Sequence, residues 1–311
     1  MRLPNMNAGA RAYLDRLAAA NATPIYKLTP AEARASHDRR QADLMLPPLS
    51  ICGTEDLLID DRVPVRLYRP HGKQKAPVLV YLHGGGWTLG GLHSVDAICH
   101  DVCHLSGWAV LSVDYRLAPE HPFPAPLDDG RFVLERVLAG DVADGLDYTC
   151  VSVAGDSAGG TLAAVLALEY AQALTCQVLV YPVTDRARTV PEMDRFGTAL
   201  NLDFAAMNWF WENYAPDPDM HEDWRVSPLC ADEQLSAAPP ALVVLAGYDP
   251  LYDEGRDYAD KLAQSGCETE LLVFPDQIHG FANQTALSTS PYALRDAVAG
   301  FLRRRAPETA T

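Results

Sequence analysis

A succession of short apolar segments separated by helical patterns is the feature that most narrows what this chain can become. VLVYL (78–82), AVLSVD (109–114), VSVAG (151–155), VLVYP (178–182), ALVVLAG (241–247) and ELLVF (270–274) each read as a strand buried on both faces. Between and after them, residues 94–106, 127–138, 158–174, 252–266 and 291–305 carry apolar positions at helical spacing. Parallel neighbours need a long crossover to bring the chain back to the same end of the sheet, and a helix supplies it. The alternation predicts an α/β fold with a mostly parallel, doubly wound sheet and helices on both faces. Ahead of it, LLIDDRVPVRLYRP (57–70) reads as an antiparallel hairpin turning at Asp60 and Asp61.

Two intervals break that alternation. Residues 8–20 form an amphipathic helical pattern with Leu14 and Leu17 on one side, 29–41 suggest a more polar helix, and PPLS (47–50) reads as a linker. Residues 183–240 separate two strands and include the aromatic stretch LDFAAMNWFWENYAPDPDMHEDW (202–224). A gap this long inside a compact domain argues for an insertion with its own structure. We expect one domain over 1–311, with residues 1–50 and 186–228 forming a helical cap. Trp209, Phe210, Trp211 and Tyr214 are read as the core of that cap, with one or two of them lining a pocket.

Charge and cysteine usage restrict the chemistry. A formal net charge of −16 repels phosphate backbones and anionic lipid, so no nucleic-acid or membrane partner is expected and a small neutral substrate fits best. The 7 cysteines are scattered with no Cys-x-x-Cys, which suggests neither a disulfide framework nor a zinc ribbon. His100 and His104, like Cys99 and Cys103, are spaced as ligands on a helix face, but no further ligand set accompanies them, and no metal is expected. The N-terminal twenty residues lack the apolar core of a signal peptide, and no stretch reaches eighteen apolar residues. A cytoplasmic, reduced protein is expected.

Two glycine-rich motifs sit where strands end. Gly155-Asp156-Ser157-Ala158-Gly159 matches Gly-x-Ser-x-Gly, in which small neighbours let a strained serine stand on a tight strand-to-helix turn. The pattern alone is weak, and an ordinary turn is the bland alternative. VSVA before it and AGGTLAAVLALEY after it supply the strand and helix the motif requires. His83-Gly84-Gly85-Gly86-Trp87 follows VLVYL, and its glycines let successive amides converge on one point. With the amide of Ala158, such donors would hold the oxyanion of a tetrahedral intermediate, each worth ~3–4 kcal/mol in the transition state. His83 is read as positioning its loop rather than as the base. Asp249 and His279 lie just past later strands, at the edge where open α/β sheets build their sites. Asp253, Asp276 and Asp185 are rival carboxylates.

With these motifs in place the chain resembles the hormone-sensitive-lipase family of esterases, the bacterial family IV, from about Val78 to Phe281. The resemblance rests on HGGGW (83–87), DYRLAPEHPFPAPLDD (114–129), GDSAGG (155–160), SPL (227–229), DPLYDEG (249–255) and HGF (279–281). It implies the α/β-hydrolase fold with an eight-stranded sheet and a helical cap. It also implies a triad of Ser157, Asp249 and His279 and oxyanion amides from Gly85, Gly86 and Ala158. His83, Gly84, Trp87 and Asp156 would support the loop. Thr161 and Tyr252 depart from the family's Asn and Arg. Arg116 and Glu120 are expected as a buried architectural pair. The expected activity is hydrolysis of short- to medium-chain acyl esters through an acyl-enzyme, without metal or organic cofactor. A catalytically silent receptor on the same scaffold, as in the plant gibberellin receptors, and an amide or carbonate hydrolase are the alternatives. Homodimerisation through the exposed edge of the final strand is a further expectation.

Overall fold

In the segment Ala76–Leu82, Val78, Val80 and Leu82 join one hydrophobic cluster while Leu79 and Tyr81 join another. That is the period of a strand covered on both faces, and all seven residues are buried. The computed structural model describes residues 5–186 and 201–307. Eight strands form one sheet: β1 (Gly53–Ile59), β2 (Val63–Arg69), β3 (Ala76–Leu82), β4 (Ala109–Val113), β5 (Leu146–Asp156), β6 (Cys176–Val180), β7 (Ala241–Tyr248) and β8 (Thr269–Ile278). Their spatial order is β1-β2-β4-β3-β5-β6-β7-β8. β2 pairs antiparallel with β1 and β4, and every other pairing is parallel. The hairpin turns where expected. Asp60 and Asp61 take φ of 47° and 55°, and the Arg62 amide donates to Ile59 O at 2.9 Å. Two left-handed central residues match the right-handed twist of the strands they join, and aspartate tolerates the conformation.

Each face of the sheet has its own helices. Residues of α3 (Leu92–Ser106) and α8 (Ser290–Arg305) pack with Leu79, Val110, Val178 and Val244 on one side. Those of α4 (Ala125–Leu138), α5 (Ala158–Glu169) and α7 (Tyr252–Gln264) pack with Val80, Leu111, Val153 and Val243 on the other. α5 is buried from Ala158 to Leu168, so it is apolar all round instead of striped. It ends at Glu169, short of the expected 174. The chain must reverse there to lay Cys176 beside Ser152 of β5, and a turn closed by Ala173 N to Tyr170 O at 2.9 Å does so. α3 and α8 are joined by a fully buried ion pair, Asp101 with Arg295, and Asp101 also accepts from Leu49 N at 2.6 Å, which pins the 47–50 linker.

Among the described residues, three further α-helices stand outside the two layers: α1 (Ala8–Ala19), α2 (Pro30–Leu44) and α6 (Phe204–Tyr214). α2 starts on a capping box. Thr29 Oγ1 accepts from Glu32 N at 3.3 Å, and Glu32 accepts from Thr29 N at 2.9 Å. Part of the interval expected to complete a cap, residues 187–200, lies outside the described residues. The expected buried pair of Arg116 and Glu120 does not form. Arg116 bonds Asp129 at 2.7 Å, because that carboxylate is buried in α4 and needs a cation beside it, whereas Glu120 is exposed and bonds Arg34 of α2.

Candidate active site

β3 is flanked by β4 on one side and β5 on the other, so the winding of the chain reverses between them and opens a crevice at their carboxyl ends. The loop 83–91 and the turn at Ser157 both enter that crevice. Ser157 joins β5 to α5 with φ 54° and ψ −122°, a strained geometry for a side chain with a Cβ. Its neighbours have no room for one: a Cβ on Gly159 would lie 2.0 Å from Leu82 O, and one on Gly155 2.2 Å from Gly159 O. The Ser157 amide donates to Val180 O at 2.8 Å, which ties the turn to β6. Thr161, where the family often has Asn, donates its hydroxyl to Val183 O at 2.6 Å and holds the next loop.

Three side chains from three strand ends then converge. Ser157 Oγ is 2.9 Å from His279 Nε2, and His279 Nδ1 is 2.7 Å from Asp249 Oδ2. The other oxygen of Asp249 accepts from Leu251 N at 2.9 Å, and the carboxylate is 1% exposed. With Nδ1–H donating to a carboxylate, Nε2 is left as the acceptor for the serine hydroxyl. Of the rival carboxylates, Asp276 instead takes Asn7 Nδ2 at 3.3 Å, and it is Asp249 that the imidazole meets.

The HGGGW loop is built to stay bent. Gly85, Gly86 and Trp87 have φ of 119°, 60° and 55°, all on the left-handed side. Gly84 N donates to Asp156 Oδ1 at 3.0 Å, as does Tyr81 Oη at 3.1 Å, so the residue before the serine anchors the loop. Burial pushes the Asp156 carboxyl above the usual carboxylate range. His83 is wholly buried, bonded through Nδ1 to Gly84 O at 2.7 Å and stacked on Tyr115 at 4.2 Å. Burial pushes its imidazole down to about 4, which keeps it neutral, and the Tyr115 hydroxyl donates to its carbonyl at 2.6 Å. α6 clamps the loop: Tyr214 stacks on Trp87 at 4.2 Å, Trp211 packs beside it at 4.5 Å, and a Cβ on Gly86 would lie 2.1 Å from the Phe210 ring. The aromatic stretch therefore does more than fill its own interior. Ala158 opens α5, whose first amides have no carbonyl partner within the helix.

Gly85, Gly86, Ser157 and His279 line one cavity of about 350 Å³. Its far wall is largely apolar and includes Leu14, Leu17, Ile25, Met207 and Phe210, from α1, the segment after it and α6. Two lining residues went unmarked in the sequence. Tyr13 Oη donates to Asn201 Oδ1 at 3.1 Å, and Asn201 Nδ2 donates to His279 O at 3.2 Å. Their partners are 188 and 78 residues away, beyond any local pattern. His100 takes the Cys52 amide on Nδ1 at 3.0 Å, and among the described residues no group of His, Cys, Asp and Glu is arranged to hold a metal.

Against known proteins, a family model described as alpha/beta hydrolase fold matches residues 79–283. The chain is 40% identical over 265 residues to the carboxylic ester hydrolase LipN of Mycobacterium tuberculosis, covering 81% of this chain and 70% of that one. It is 35% identical over 293 residues to an ethyl acetate hydrolase of Pseudomonas putida, covering 89% and 92%. Among solved structures, a thermostable esterase of Pseudomonas putida superposes with a TM-score of 0.92 at 31% identity, covering 98% of this chain and 99% of that one. The esterase of Pyrobaculum calidifontis superposes with a TM-score of 0.86 at 31% identity, covering 96% and 98%.

Proposed function

This chain belongs to the hormone-sensitive-lipase family of α/β-hydrolase esterases, and from that membership we propose that it cleaves short- to medium-chain acyl esters through an acyl-enzyme on Ser157. It is a carboxylic ester hydrolase. One observation carries the reading: a hydroxyl, an imidazole and a buried carboxylate joined at 2.9 and 2.7 Å beside a loop of glycine amides. In this mechanism His279 accepts the Ser157 proton as Oγ attacks the ester carbonyl, and the carbonyl oxygen becomes an oxyanion facing the amides of Gly85, Gly86 and Ala158. Collapse expels the alcohol, which takes the proton from His279. Water, deprotonated by the same imidazole, then attacks the acyl-serine, and as the acyl–Oγ bond breaks His279 returns that proton to Ser157 and the acid is released. Asp249 keeps the imidazole in the productive tautomer and stabilises its charged form.

We read α1, α2 and α6 as parts of a cap on a single catalytic domain. The cavity of about 350 Å³ under it is at the small end of ligand pockets and suits a short acyl chain. A relative named an ethyl acetate hydrolase supports the same end of the range. The test is a series of p-nitrophenyl esters from acetate to palmitate. We expect kcat/KM to peak below about ten carbons, and a maximum at palmitate would overturn the size claim. A fluorophosphonate should label Ser157 and fail on Ser157→Ala. A matched amide should turn over far more slowly than its ester. Pairing of two copies along β8, the outer strand, belongs to the same proposal, and sedimentation as a 33.9 kDa species would remove it.

A further inference from the structure

The ring of His279 is held by Ser157 and Asp249, but its main chain is held by something else. Residues 276–287, which carry it, are the platform on which the N-terminal helices rest. Asn7 N donates to Asp276 O at 2.9 Å, Ala286 N to Leu44 O at 3.0 Å, and Leu46 N to Thr285 Oγ1 at 2.7 Å. Gly9 packs so closely that a Cβ on it would lie 2.0 Å from Leu287 O. Met6, Ala10, Tyr13 and Leu44 cluster around Ile278, the fully buried residue immediately before the imidazole. At the centre of this contact is Asn201. The His279 carbonyl can only accept, so the amide nitrogen of Asn201 must face it. That leaves the amide oxygen toward Tyr13, whose hydroxyl must then donate. Donor and acceptor requirements permit one arrangement.

We propose that Asn201 is a positioning residue for His279, itself oriented by Tyr13, so that seating of α1 fixes the geometry of the base. The inference rests on His279 being that base. Proton transfer in the chemical step is steep in distance and angle, whereas capture of a small ester is not. A change here therefore appears in kcat before it appears in KM.

The test compares Asn201→Leu, Tyr13→Phe and the double variant on p-nitrophenyl acetate, with melting temperature as a check on folding. Asn201→Leu should lower kcat by about ten- to a hundredfold with KM within about twofold, and should slow fluorophosphonate labelling in proportion. Tyr13→Phe should lower kcat by about threefold, and the double variant should be no worse than Asn201→Leu, because the two act in series. Tyr13→Phe removes one hydroxyl and carries the test by itself if the larger change fails to fold. Wild-type kcat in both single variants, a change confined to KM, or strictly multiplicative losses would overturn the proposal. His279→Ala separates the two readings: if it stays active the base assignment falls, and if it is dead while Asn201→Leu is normal only the positioning role falls.

Discussion

Asp249 is bound on both carboxylate oxygens, to an imidazole N–H on one and a backbone amide on the other, and no water reaches it easily at 1% exposure. Asparagine there would keep the shape but offer one acceptor and one N–H₂ donor to two donors. Whichever way it turns, one contact is lost, and an amide N–H₂ facing Nδ1 favours the tautomer in which Nε2 carries the proton and cannot accept from Ser157. Asp249→Asn should therefore lower kcat by about 10³–10⁴ while the protein stays folded. Steady-state hydrolysis of p-nitrophenyl acetate, followed beside a thermal melt, measures both; a loss below about tenfold would return the acid role to another carboxylate. The meeting of Ser157, His279 and Asp249 was legible in the sequence because each lies just past a strand, and a parallel sheet gathers such positions at one edge. Arg116 shows the opposite case. Its partner was misread because Glu120 is the nearer of the two in sequence, and only burial distinguishes Asp129, the carboxylate that must be paired.

The loop after β3 and helix α6 act as one unit. The glycines make the bend and the aromatic ring of Phe210 closes over it, so Gly86 is confined both by its φ of 60° and by ring atoms 2.1 to 2.4 Å from any added Cβ. Gly86→Ala should push the loop amides off the oxyanion position and cost about a hundredfold in kcat. Some of that should return in Gly86→Ala combined with Phe210→Ala, which frees the space, although the left-handed strain of about 1–2 kcal/mol stays. Kinetics on one short ester for the three proteins decide it: a double variant no faster than Gly86→Ala would mean that strain, not the ring, is the constraint. The sequence revealed both halves of this unit but not their contact. HGGGW announces a bent loop, and the aromatic stretch 202–224 announces part of an insertion with its own structure. Which way the aromatic face turns depends on packing across more than a hundred residues, which periodicity does not encode. The same limit hid the link from Tyr13 through Asn201 to His279.

Over the whole molecule, the acidic excess leaves few cations to spare for buried carboxylates. Glu254 of α7 is 1% exposed and accepts from Thr184 N at 2.7 Å. Burial, with Asp185 and Asp249 nearby, pushes its carboxyl up to about 8 from an ordinary 4.5, against the opposing pull of the Thr184 and Asp185 amides. The sign follows from proton counting. Below the ordinary value both folded and unfolded chains hold the proton, and the neutral buried acid is fully tolerated. Between that value and about 8 the folded chain keeps a proton that the unfolded chain releases, so the stability of the fold falls as pH rises through this window. Above it the native state holds a buried anion, and the loss levels off at a few kcal/mol, taking ~1.4 kcal/mol per unit as the upper scale. Glutamine keeps the acceptor toward Thr184 and cannot ionise. Thermal melts of the wild type and Glu254→Gln at pH 5, 7 and 9 should be close at pH 5 and diverge with rising pH in favour of the variant. Titrations elsewhere in the chain are common to both proteins and cancel in the difference, so melting curves that stay parallel across the range would show that Glu254 is ionised in the fold well below neutrality.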